Sequence, residues 1–598
     1  MCTKKTSHAI MKQIVLSLIF LLATATGVYA AKSSGTPKAV RQPDGTTLMV
    51  RLLGDEHFSW YQTMDGIIVV GKDNAFYIAE ICADGALKNT GVLAHNLDSR
   101  EAGERSLAAA QDRKLFFAKG AEVAHAKRKA IAGYPSANFC PHTGNVRIPI
   151  IMVEYPDVKF TFQDRSVWEE YFNGTERFPM SNDTRFKGHS SVGQYFSDAS
   201  FRNFTPEFDL YGVYTVAHPH DYYGYNTANT SDIISEALAL ADTDIDFSRY
   251  DSNNDGKVDM VYILYAGTGA NISGNMSDIW PQCYYGYNYQ QDGKNIRIVG
   301  LSNELAVTAA DNQGTALRAG IGVLCHEMSH GLGLPDLYNT SNNAPVDEHG
   351  YADWNNCGPE DWDLMDGGEN LFNGFWPVQY AAWERDIMGW MTLEELDSPA
   401  DVTIYPLDSE NGKAFRVTNP ANANEYYVLE NFGKVTWNEY QARKQSSGLL
   451  ITHVHDISRY GMTPNNTYKH PNLTIVPADG FLLALYSVGE TVWYNGRAQQ
   501  VTREMFDNEL KGDPYPGVKE VTAVGAYNNY SGAEMSIKFP ITDIRQNDDG
   551  SVSFRFMGGG TGIVDINAGT EQETAPRKTV KDGRIMIGDY NIAGQRTR

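Results

Sequence analysis

Residues 326–336 read His326-Glu327-Met328-Ser329-His330-Gly331-Leu332-Gly333-Leu334-Pro335-Asp336. The apolar spacing before them, with Leu317, Ile321 and Leu324 on one stripe, predicts a helix over Thr315–Gly331. On a helix, His326 and His330 lie one turn apart on one face. Two imidazoles so placed suit a tetrahedral Zn²⁺ site. Glu327 then stands beside the metal, where a carboxylate can take a proton from a water activated by the ion and pass it to a leaving amine. Gly333 can adopt the left-handed conformation that ends a helix sharply. Asp336, six residues past His330, can then swing back as a third ligand. The plainer alternative is an amphipathic helix with two hydrogen-bonded histidines, and a single short motif does not exclude it. Gly333 and Asp336 make the metal reading more specific.

Downstream, Trp362-Asp363-Leu364-Met365-Asp366-Gly367-Gly368 places Met365 in a Gly-rich turn, 29 residues beyond Asp336. It resembles the turn whose methionine packs beneath the zinc in metzincins. The spacing from His326 to Asp336 is also the metzincin spacing, with Asp where most members carry His. Ser190–Phe196, Tyr222-Tyr223-Gly224, Ala381–Trp390, Tyr426–Asn431 and Gly448–His455 extend the likeness. On these residues the chain resembles the immune-inhibitor-A-like family of secreted bacterial zinc metallopeptidases, over roughly residues 40–460. The resemblance implies an α+β fold: a metzincin-like catalytic domain with a mixed sheet and an active-site helix. An α/β propeptide would precede it, and an all-β, sandwich-like module would follow. It also implies a zymogen activated by proteolysis. Some metzincins carry a tyrosine two residues after the turn methionine to assist the oxyanion. Gly367 stands there in this chain, so that role has no candidate. Tyr338 is near Asp336 and is expected to pack.

The rest of the chain divides around this segment. It has 598 residues, too many for one core. Hydrophobic residues make up 42% and charged residues 21%, as in ordinary globular proteins. Fifty basic and 73 acidic residues give a net charge of −23, which argues against a nucleic-acid partner. Lys4, Lys5 and Lys12, the apolar run Ile14–Ala25 and Val28-Tyr29-Ala30 read as a signal peptide over residues 1–30. Secretion or display at a bacterial cell surface follows, with no stable membrane span. Residues 31–135 hold strand signals at 47–53, 66–70 and 77–81, and fit the propeptide. Lys127-Arg128-Lys129 is either a processing site or a solvated charge run. Residues 136–395 form the expected catalytic domain, with Pro149 suggesting an edge or irregular start for the strand over 146–155. Residues 396–557 are rich in strand signals, at 402–405, 413–418, 426–430, 448–455, 474–476, 482–486 and 551–556. Residues 558–598 are a polar tail that resembles the C-terminal export signals of some secreted bacterial proteins, or a final β-hairpin.

Several weaker signals remain. Asp251-Ser252-Asn253-Asn254-Asp255-Gly256-Lys257-Val258-Asp259 offers oxygens at alternate positions around a turn glycine. It predicts a structural Ca²⁺ loop with ligands Asp251, Asn253, Asp255, the Lys257 carbonyl and Asp259. The alternative is an Asx-rich turn capped by its own side chains. Tyr262, where an EF-hand has its bidentate Glu, excludes an EF-hand. After signal removal five cysteines remain, an odd number. Cys82 could reach the zinc from the propeptide, or be an ordinary thiol. His453 and His455 share a strand face, either as a second metal site or as structural residues. The chain is thus expected to be a monomeric, zinc-dependent endopeptidase acting on extracellular proteins. A surface binding protein with structural zinc and calcium sites is the alternative.

Overall fold

The computed structural model describes residues 27–29, 31–55, 58–117, 119–120, 139–179, 188–310, 312, 314–340, 357–455, 464–466, 470–488, 491–494, 496–525 and 539–559. It also describes the tail strands 578–581, 584–587 and 590–591. The apolar run Ile14–Ala25 and the basic cluster Lys127–Lys129 lie outside the described residues.

Strand β1 (Gly27–Tyr29) precedes an antiparallel sheet of β2 (Lys38–Arg41), β3 (Thr47–Gly54), β4 (Ser59–Thr63), β5 (Ile68–Lys72), β6 (Ala75–Ile81) and β7 (Leu87–Leu93). These six pair in sequence order. The helix Ala102–Ala109 follows them. The expected α/β propeptide is therefore a β-meander with a helix appended. Its turns are the reason. Asp73 and Asn74, between β5 and β6, both have positive φ, the backbone that joins antiparallel neighbours through two residues. Parallel pairing would need a long crossover instead.

The central domain is built on β8 (Arg147–Glu154), β9 (Glu207–Thr215), β10 (Lys257–Val258), β11 (Val261–Thr268), β12 (Gln282–Tyr285), β13 (Tyr289–Gln291), β14 (Lys294–Ile296), β15 (Val299–Val307) and β16 (Leu317–Arg318). The main sheet runs β1-β12-β15-β11-β8-β9. Strands β15, β11, β8 and β9 are parallel, and β12 runs antiparallel to β15. Residue alternation sorts the two faces. Tyr262 and Leu264 of β11 join Leu324, Met328 and Leu332 of the active-site helix in one core. Val261, Ile263 and Tyr265 join Ile234 and Leu238 of the helix Asp232–Ala241 in another. Pro149 lies inside this sheet, not on its edge. It pairs with Asp209 of β9, while pairing of β8 with β11 begins only at Ile150. Its missing N–H thus falls where one neighbour is absent.

The active-site helix is shorter than expected, running Gly322–Leu332. Leu317 and Arg318 pair with β15 instead. The C-terminal module holds β17 (Glu394–Glu395), β18 (Ala400–Ile404), β19 (Phe415–Thr418), β20 (Glu425–Phe432), β21 (Gly448–His455), β22 (Leu473–Ile475), β23 (Thr491–Tyr494), β24 (Arg497–Gln500), β25 (Ile541–Gln546) and β26 (Val552–Phe556). A sheet β17-β19-β20-β21-β22 faces a sheet β18-β26-β25. Val402, Ile404, Val417, Leu429, Ile451, Ile541 and Phe554 fill the space between them. The module is β-rich but not all-β, because the helices Glu439–Lys444 and Arg503–Leu510 pack on it. The strand expected over 482–486 is absent. Leu483 N–H donates to Glu509 and Leu485 N–H to Glu360, so carboxylates replace a neighbouring strand, and Leu485–Ser487 makes one tight turn. The tail forms a small meander of β27 (Lys578–Lys581), β28 (Arg584–Ile587) and β29 (Tyr590–Asn591). No helix among the described residues is long and apolar enough to cross a membrane.

Candidate metal centre

The active-site helix ends at Gly333, with φ 105° and ψ 8°. Its N–H donates to His330 O, and Leu334 N–H reaches back to Ser329 O. A Cβ at Gly333 would stand 3.0 Å from the Phe139 ring in a backbone region that L side chains avoid. This cap turns the chain so that Asp336 faces the helix it has just left. Asp336 Oδ1 lies 3.2 Å from His326 Nε2 and 3.2 Å from His330 Nε2. The two imidazoles are perpendicular, with centroids 4.7 Å apart. All three side chains are buried, and one donor atom from each lies within 4.8 Å of the others. Among the described residues no other three His, Cys, Asp or Glu side chains converge this way.

Backbone carbonyls fix both rings. His326 Nδ1 donates to Leu364 O at 3.0 Å, and His330 Nδ1 to Leu334 O at 2.8 Å. With Nδ1 so engaged, each Nε2 is turned towards Asp336. Met365 is fully buried, and Leu337 N–H donates to its carbonyl. The turn around Met365 is thereby tied both to His326 and to the segment after Asp336. Glu327, next on the helix, accepts the Ala31 N–H at 2.5 Å.

The charges fit a cation. Burial alone would deprotonate His326, but Glu369, Asp336 and Glu327 outweigh it and hold the ring's pKa at about 10. Burial would raise the Asp336 carboxyl, yet His330 and His326 hold it well below the usual range. Burial pushes Glu369 up to about 8. Three carboxyl groups and two imidazoles thus share one buried site. Nitrogen donors with one carboxylate match a zinc site better than the all-oxygen shell of calcium.

Sequence reading missed the neighbours supplied from far away. Glu369 Oε2 lies 3.3 Å from His326 Nδ1, in the turn four residues after Met365. Its only signal was an acidic residue in the Gly-rich turn. Ala31 and Lys32 come from the N-terminal segment, and only the fold brings them here. Cys82 is not at the centre. It sits half-buried in the turn after β6, with its N–H on Ala86 O. Cys82, Cys140, Cys283 and Cys325 are free thiols. His453 and His455 are buried on β21. His453 Nε2 lies 2.9 Å from Glu425 and its ring stacks on Tyr427. Tyr338 is buried beside the Lys32 ammonium, 5.5 Å from ring centroid to nitrogen.

The Asp251–Asp259 loop is crowded with protein donors. Asp251 accepts from Asp255 and Gly256 N–H and from Lys294 Nζ at 2.6 Å. Asn253 accepts from Asp255 N–H, Asp255 from Lys257 N–H, and Asp259 from Ser252 N–H.

Residues 142–389 match the model of the immune inhibitor A peptidase M6 catalytic domain. Over these residues the chain is similar to that family. M6 peptidases are zinc-dependent, and the matched span contains His326, Glu327, His330, Asp336 and Met365. The chain is similar to the pre-pro-metalloprotease PrtV of Vibrio cholerae, at 25% identity over 271 residues, 38% of this chain and 28% of that relative. It is also similar to immune inhibitor A of Bacillus thuringiensis, at 23% identity over 307 residues, 43% of this chain and 42% of that relative. The chain therefore spans well under half the length of these curated relatives.

Proposed function

We propose that this chain is a secreted zinc endopeptidase of the M6 family, made as a zymogen, that hydrolyses extracellular proteins. The convergence of His326, His330 and Asp336 beside Glu327 carries the proposal. His326 Nε2, His330 Nε2 and an Asp336 carboxylate oxygen are the zinc ligands. The ion would supply Lewis acidity, making water a nucleophile at neutral pH and polarising the peptide carbonyl. Glu327 takes the proton of that water and delivers it to the leaving nitrogen. Leu364 O, Leu334 O and Glu369 hold the two imidazoles in register. Met365 supports the centre from below. No residue is assigned to the oxyanion.

The domain plan is a signal peptide over 1–30, a propeptide over 31–135, a catalytic domain over 136–395, a β-rich module over 396–557 and a tail over 558–598 that serves export. Latency has a local basis in Ala31–Ser33, which crosses the site with Ala31 N–H on Glu327. Cutting after Ala30 would release β1 and turn that nitrogen into an ammonium against the same carboxylate. The active protein is a monomer outside the cell or on its surface. The Asp251–Asp259 loop is better read as an Asx turn than as a calcium site, because the Lys294 ammonium already neutralises Asp251.

Glu327→Ala should keep about one zinc per chain and lose casein cleavage once residues up to about 130 are removed. Retained cleavage would sink the mechanism. A binding protein with a structural zinc is the second reading, suggested by the β-rich C-terminal module. Chelator-sensitive hydrolysis restored by zinc would exclude it as the sole function.

A further inference from the structure

Lys32 is a charged residue with almost no surface, 1% exposed. Its ammonium lies 2.9 Å from Asp366 Oδ1 and 3.3 Å from Glu360 Oε2, against the Tyr338 ring. We infer that this pocket is a substrate subsite, through which the peptidase selects a lysine or arginine at the second residue after the scissile bond. The inference rests on the peptidase reading above.

The register follows from the contacts of the N-terminal segment. Strand β1 adds to the edge strand β12 in antiparallel pairing, as an extended peptide adds to an open sheet edge. The chain then passes the metal centre, where Ala31 N–H meets Glu327. Glu327 is the group that protonates a leaving nitrogen, so the Ala31 nitrogen stands where that atom would be. The next side chain, that of Lys32, enters the pocket. Trp280 Nε1 donates to Ala31 O and so holds the segment's backbone at this point. Beyond Lys32, a cavity of about 670 Å³ is lined by Ser34, Thr36, Asn370 and Phe372, among others, leaving room for further substrate residues.

The pocket itself does not depend on the segment that fills it. Asp366 directly follows Met365, and its Oδ2 accepts the Glu360 N–H at 2.9 Å. Glu360 also accepts from Leu485 N–H of the C-terminal module. Both carboxylates are buried. Burial pushes Glu360 up to about 8 even with Lys32 beside it. Removing the propeptide takes away the ammonium, the one cation paired with these two buried acids among the described residues, and proteins avoid leaving buried acids unpaired. A basic substrate side chain restores the pairing. A neutral one does not, and an acidic one is repelled.

The test uses the mature, zinc-loaded enzyme and quenched peptides that differ only at the second residue after the cleaved bond. Lysine there should raise kcat/KM by about tenfold or more over leucine, and glutamate should be the poorest. Mapping the cuts in denatured casein should show the same enrichment without any variant. In Glu360→Gln combined with Asp366→Asn, the lysine-to-leucine ratio should fall to near one. Cleavage with no basic preference at that position overturns the subsite and leaves the peptidase reading standing. A preference that survives the double substitution overturns it too. If the zinc-loaded enzyme cuts no peptide, both fall together.

Discussion

In the proposed zinc site, His326 and His330 are oriented by what their other nitrogens do. Each Nδ1 is spent on a carbonyl, Leu364 O or Leu334 O, which turns Nε2 towards Asp336. Glu369 adds a buried carboxylate to His326 at 3.3 Å. Outer contacts of this kind orient the ring and raise its basicity. Glu369→Gln should therefore weaken zinc binding by about 10–100-fold, measured by competition with a chelator of known affinity. Unchanged affinity would assign Glu369 to packing alone. At this scale much was legible. The four-residue spacing, Gly333 and Asp336 can be read from the chain because one helix and its cap bring them together. Glu369, Ala31, Lys32 and Trp280 could not be read that way. Their approach depends on the path of the chain across hundreds of residues, which local periodicity does not encode.

Among the elements, those with a single strong period were the most readable. Strands β8, β20 and β21 stand close to where apolar runs predict them. The failures share a cause, which is competition for backbone donors. Leu317 looked helical but found a partner in β15. The run 482–486 looked like a strand, but Glu509 and Glu360 took its N–H groups. The N-terminal sheet β2–β7 carries its own pH sensitivity. His95 is held between Asp44 at 2.8 Å and Glu104 at 2.9 Å. Burial lowers its pKa, but hydrogen bonds to Asp44 and Glu104 outweigh that and hold it above the usual histidine value. A raised folded pKa means that stability from His95 is complete below about pH 6.5 and is lost as pH rises through the folded value. Hydrogen exchange of β3, corrected for intrinsic rates, should show more opening at about pH 8.5 than at about pH 6. His95→Gln should flatten the difference. Equal protection in the native protein would refute this role.

For the molecule as a whole, three regions meet at one centre. The central domain supplies His326, His330, Asp336, Glu327 and the acidic pocket. The N-terminal segment supplies Ala31 and Lys32, and the C-terminal module braces Glu360 through Leu485. The net charge of −23 makes binding of an anionic partner such as nucleic acid unfavourable. It does not reveal that part of the acidity is buried around the centre. The account stands on the link between metal and hydrolysis. The direct measurement is to strip the mature protein of metal and follow peptide hydrolysis while zinc is titrated back. Activity should rise in step with binding and saturate at about one zinc per chain, while Glu327→Ala binds the same zinc with no activity. Full zinc binding by the native protein without hydrolysis of any peptide would contradict the account.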